Sequence, residues 1–172
     1  VATAIAALWM PTAAAGGEEH AAKTSTFSGS CQFEGVVSFD PPLGPARQET
    51  RADAAAAGPC SGTWRHGGRT WQLDGARVRY RATSFGTQSC DSAEASGEGF
   101  LAYRHRRLRF SFAESRVLTS APIHLEGAAG GAFDGTATAT GDPAATVAAC
   151  AGDGVAESPI SIEGETDPEI SG

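Results

Sequence analysis

The sequence predicts an all-β domain: an antiparallel meander of about eight strands that closes into a barrel and carries two disulfides. Three observations predict it. Short segments alternate apolar and polar residues with a period of two, as strands with one buried face must. Turn signals rich in Gly, Pro and Ser separate these segments at short intervals. Four cysteines, Cys31, Cys60, Cys90 and Cys150, are too widely spaced for a CxxC metal knuckle, and their even number suits a disulfide framework. Sequential strands tend to pair, and a meander that closes hides its edges, which favours a barrel. A two-sheet sandwich is the alternative fold.

Residues 1–15 read as the remnant of a secretion signal. Val1–Trp9 is apolar, Pro11 interrupts it, and Ala13-Ala14-Ala15 offers a small-residue cleavage site before Gly16. The apolar run is shorter than the ~20 residues a spanning helix needs, and no later run is longer, so the chain is not expected to be transmembrane. Residues 16–25 are small and polar and are expected to be a flexible mature N-terminus. Residues 26–165 form one β domain, large enough to bury its own core. The acidic tail, 166–172, is expected to fray.

The first strand is the clearest. Cys31, Phe33, Gly35, Val37 and Phe39 alternate with Gln32, Glu34, Val36, Ser38 and Asp40, and the proline cluster 41–45 is expected to stop it. A second run, Ala46–Ala57, places Arg47, Glu49, Arg51 and Asp53 on one face and small residues on the other. If the two form a hairpin, Cys31 falls beside Cys60. Cys90 and Cys150 then pair across the later strands. Four cysteines allow three connectivities, and this one is favoured.

Residues 62–74 carry Trp64, Trp71 and Leu73 around a Gly67-Gly68 turn. Ala76, Val78, Tyr80 and Ala82 then alternate with Arg77, Arg79 and Arg81, a half-buried strand with an arginine stripe on its wet face. Residues 86–97 read as a loop. Gly97–Arg104 and Arg107–Ala113 read as a hairpin with Leu108, Phe110 and Phe112 on its apolar face. Val117–Leu125 continues the alternation, with Val117, Thr119, Ala121, Ile123 and Leu125 on one side and Pro122 on the other. Gly127–Gly131 connects to a small-residue strand, Ala132–Thr140. Gly141–Gly154 reads as a loop holding Cys150, and Val155–Glu163 as the last strand.

The landmarks SGSCQFEGVVSFDPPL, PCSGTW, GEGFLAYRHRRLRFSF and GGAFDGTATATGDP, with the Cys150 segment, resemble small exported β-proteins of unknown function from high-GC Gram-positive bacteria. The resemblance spans residues 27–165. It implies an exported β-fold with paired cysteines and carries no catalytic residues. Composition agrees with a GC-rich source, with one lysine among 13 basic residues and no asparagine.

The net charge of −7 is unevenly placed. All the arginines lie in residues 47–116, whereas residues 117–172 hold acids and no Lys or Arg. Arg77, Arg79, Arg81, Arg104, Arg107 and Arg109 are candidate anion-binding residues, because a guanidinium recognises planar phosphate or carboxylate groups. The competing expectation is that they pair with Glu98, Glu114 and the acidic C-terminal strands. No nucleic-acid partner is expected for an exported acidic chain.

Motifs for enzymatic chemistry are missing: there is no G-x-S-x-G, H-E-x-x-H, P-loop or EF-hand loop. His66, Asp74 and a serine would form a triad only if the fold brought them together. The spacing of Asp134, Asp142, Asp153, Glu157, Glu163 and Glu165 fits no calcium loop and reads as an acidic surface. No cofactor and no metal are expected. The function expected is non-enzymatic binding of a small apolar ligand in the barrel mouth, or docking of the arginine face on an anionic envelope polymer or surface. A structural envelope component and a hydrolase assembled from distant residues are the other classes.

Overall fold

A computed structural model describes residues 24–117 and 119–172. Eight strands follow in order: β1 (Ser25–Leu43), β2 (Gln48–His66), β3 (Arg69–Gln88), β4 (Ser92–Tyr103), β5 (Arg106–Val117), β6 (Ser120–Gly127), β7 (Gly130–Ala139) and β8 (Val155–Ser171). One helix, α1 (Pro143–Ala151), lies between β7 and β8. Each strand pairs antiparallel with the next, and β1 pairs with β8, so the meander closes into a barrel and the sandwich alternative is excluded. The expected signal segment and most of the expected flexible N-terminus lie outside the described residues.

The two ends of the barrel are filled differently, and the sequence of each inward face explains why. On β2 the inward residues run Ala52, Ala54, Ala56, then Cys60 and Trp64. On β7 they run Phe133, then Ala137 and Ala139. The large ends of these rows meet at the turns Gly67-Gly68, Arg104-His105 and Ala128-Ala129. There Trp64, Phe27, Leu101, Leu108, Leu125, Phe133 and Ile170 are completely or almost completely buried. The ring of Trp64 lies 6.0 Å from Phe27 and 5.9 Å from Tyr103, centroid to centroid. Arg106 turns inward and covers Trp71 at 4.0 Å, a cation–π contact. This end is a solid plug.

Both disulfides form as expected, Cys31–Cys60 and Cys90–Cys150. Cys31 and Cys60 face each other directly in the β1–β2 register, so that bond is a cross-strand staple inside the core. Such bonds persist in oxidising surroundings.

Several boundaries differ from expectation. β1 runs through Pro41 and Pro42 to Leu43, because the prolines sit in a register shift on the exposed side and Leu43 is buried opposite Val155. The Gly- and Ser-rich stretch 86–97 is strand except for a short turn: Gly97 and Gly99 face inward opposite Phe112 and Phe110. A Cβ on Gly99 would stand 2.7 Å from the Phe110 ring, so the aromatic packing requires glycine there. Val117 ends β5 as an exposed residue instead of opening the inward row of β6. The acidic tail does not fray. It belongs to β8, with Ile170 in the core and Ser25 and Gly172 exchanging two backbone hydrogen bonds of 2.9 Å.

Segment 141–154, expected to be a loop, contains the helix α1. Asp142 caps it, its carboxylate accepting from the Ala144 amide at 2.9 Å, and Pro143 begins it.

Candidate functional site: a lidded chamber at one end of the barrel

An eight-stranded barrel is just wide enough to be filled by side chains or to hold one small ligand. The end opposite the plug is not filled. A cavity of about 140 Å³ lies there. Alanines create it: Ala52, Ala54, Ala82, Ala121, Ala137 and Ala139 line positions where the plugged end carries rings and leucines. Val37, Phe39, Phe112, Ile123 and Ile160 supply the remaining apolar wall. The volume is close to the ~150 Å³ apolar cavity that takes up benzene in an engineered protein.

Helix α1 covers this chamber. It leaves β7 and returns to β8, but Cys150 near its C-terminus is bonded to Cys90 in the turn between β3 and β4. In a ring of eight strands these two connections lie on opposite sides, so α1 is drawn across the mouth. Its nine residues span ~14 Å. Thr146 lines the chamber, yet α1 has no buried residue and Val147 points outward. The lid is therefore held by its disulfide more than by apolar packing.

Two charged side chains belong to the chamber. Glu114 and Arg116 follow Phe112 on the inward face of β5, so alternation carries both inside. Arg116 donates to the Ser89 carbonyl at 3.1 Å and the Cys90 carbonyl at 3.2 Å, bracing the turn to which the lid is tied. Its Nε stands 3.7 Å from Glu114 Oε1, an ion-pair contact longer than a hydrogen bond. Burial pushes the Glu114 carboxyl above the ordinary carboxylate range, and the Arg116 charge only partly opposes this. Tyr80, also in the wall, is pushed up by burial and then by the Glu114 charge. Sequence reasoning missed this pair as a site because it ended the strand at Ala113. The period of two that runs through Leu108, Phe110 and Phe112 identifies both residues when continued.

The arginine candidates are on the outside, as expected of the wet face. Arg79 and Arg107 share one outward row with Ala57 and Ala102 between and beside them; Arg81 and Arg109 share the next with Ala55 and Phe100. Arg77 lies on the same face of β3, opposite Pro59, and Arg104 sits in the β4–β5 turn. Arg107 stacks over Phe100 at 4.6 Å and Arg104 over Tyr103 at 5.3 Å. The Arg104 carbonyl accepts from Arg79 at 3.3 Å. Among the described residues none of the six forms an ion pair with a carboxylate. Glu114 is inside and the acidic strand β8 lies across the ring from β4, whereas Glu98 and Asp53 share an outer groove with Arg81, Arg107 and Arg109 without forming an ion pair with them.

The triad does not assemble. His66 Nδ1 is 2.9 Å from Ser25 Oγ, but Ser25 is fully buried in the plugged end and closed to any substrate. Asp74 lies further along β3, past Arg69, the residue that His66 faces. His124 pairs with Asp134 at 2.6 Å on the outer surface. Among the described residues no three His, Cys, Asp or Glu side chains converge as a metal site, and no helix is long and apolar enough to cross a membrane.

The chain matches no known protein family, no curated protein and no solved structure.

Proposed function

We propose that the protein is an exported, non-enzymatic binding protein that holds one small, mostly apolar molecule in the chamber beneath α1. The observation that carries this reading is the contrast between the barrel's two halves. Rings and leucines fill one half solid, and alanines hollow the other beneath a covalently tethered helix. Wall composition and size suit a ligand about as large as one aromatic ring. Export is supported by the Ala13-Ala14-Ala15 cleavage pattern and by two disulfides. The test is uptake of toluene followed by methyl and aromatic NMR shifts. Shifts confined to Ala54, Ala82, Ile123 and Phe112 are expected, and Ala121→Leu is expected to remove them. A wild-type protein that takes up neither toluene nor benzene would refute it.

A second reading concerns the outer surface. The arginine rows on β3 and β5, which form no ion pair, support docking on an anionic envelope polymer or phospholipid surface, with the acidic strand β8 across the ring. Retention on anionic vesicles that falls with added salt, and falls again in Arg79→Ala plus Arg107→Ala, is the expected result. Retention indifferent to salt would refute it.

A further inference from the structure

The chamber is apolar apart from a few groups, and those groups constrain what enters it. Arg116 already gives two hydrogen bonds to the Ser89 and Cys90 carbonyls. Its guanidinium therefore commits one N–H of each terminal nitrogen to bracing the lid turn. Glu114 is different. Its carboxylate faces the same chamber, meets Arg116 only at 3.7 Å, and accepts no hydrogen bond among the described residues. An ionised carboxylate is purely an acceptor, with room for several donors. Placed in apolar walls, it rewards a ligand that donates to it and rejects one that brings a second negative charge.

We infer that Glu114 makes the chamber selective for a molecule with an apolar body and a hydrogen-bond-donating head, an amine or an alcohol, and against its carboxylate counterpart. This rests on the binding reading above and deepens it. The apolar body fills the space bounded by Ala54, Ala82 and Ile123, while the head reaches β5 below the lid. The other ionisable groups of the wall are Arg116, on the same strand, and Tyr80, on β3. Cys90 is in a disulfide. Acidification protonates Glu114 and removes the charge that favours an amine over a carboxylate. Because burial raises this carboxyl, the loss begins at a higher pH than it would for an exposed glutamate.

Four probes of one shape test it: benzylamine, benzyl alcohol, toluene and benzoate, titrated by NMR into the intact, oxidised protein. Benzylamine and benzyl alcohol are expected to bind about tenfold or more tighter than toluene, and benzoate weakest. In Glu114→Gln the advantage of benzylamine over toluene is expected to vanish while toluene still binds. Equal affinity for toluene and benzylamine, preferential binding of benzoate, or an unchanged ratio in Glu114→Gln would overturn the inference while leaving the chamber a ligand site. If none of the four binds, the chamber reading itself fails and the inference with it.

Discussion

Cys90 and Cys150 are joined across the mouth of the barrel, their Cα atoms 6.2 Å apart, although the β3–β4 and β7–β8 connections that carry them start from opposite sides of the ring. The bond does locally what side-chain packing does not: it holds a helix with no buried residue over a chamber. Replacing both cysteines with alanine is expected to cost ~4 kcal/mol of global stability, because a long loop is released in the unfolded chain. The diagnostic readout is local. Hydrogen exchange should accelerate through residues 143–151 and in the 89–91 turn, with the β-ladder amides still protected.

Cys31–Cys60 gives the opposite pattern. It links directly opposed residues of β1 and β2 inside the core. Its removal is expected to cost ~3–4 kcal/mol by the same loop argument, with faster exchange across the β1–β2 ladder and no change in α1.

Filling the chamber is expected to stabilise the protein while abolishing uptake. Ala121→Leu adds apolar volume to an existing cavity. Urea unfolding should show a gain of up to ~1 kcal/mol, and toluene shifts should disappear. At Gly99 the reverse holds: Gly99→Val would push a side chain into Phe110 and is expected to cost ~1–3 kcal/mol or more.

Much of the barrel was legible in the residues, and for one reason. The period of two survives wherever the inward residue is apolar, as from Cys31 to Phe39 and from Val78 to Ala82. It becomes obscure where inward positions are Gly or Ser, as at Ser84, Gly86 and Gly97, which strand partners and facing rings fill from the other side. The helix had a local signal in Asp142-Pro143, a capping residue followed by a proline at the first helical position. The arginine face was readable as exposed. That its six candidate arginines form no ion pair among the described residues was not, because pairing depends on side-chain placement within the closed ring.

Glu114 should register in the pH dependence of stability. A carboxyl whose folded value is raised stabilises the fold when protonated and weakens it once pH rises through that folded value. Glu114→Gln is therefore expected to be more stable than wild type at pH 8 and equal to it near pH 4, by urea midpoints.

His124 is expected to titrate above its ordinary value of 6.5, because Asp134 hydrogen-bonds its ring and adds negative charge, with Glu126 contributing further. A raised histidine contributes stability below the unfolded value, and that contribution is lost as pH rises through the folded one. The pair is exposed, so the effect on folding is small. NMR titration should show the value falling toward normal in Asp134→Asn.

The seam between β1 and β8 matters for how the protein behaves in company. Ser25 and Gly172 satisfy one another's backbone groups, so these ends of β1 and β8 offer no unpaired ribbon edge on which a second molecule could template itself. Loosening that seam would bare the β1 and β8 edges, against which a strand of another chain could pair.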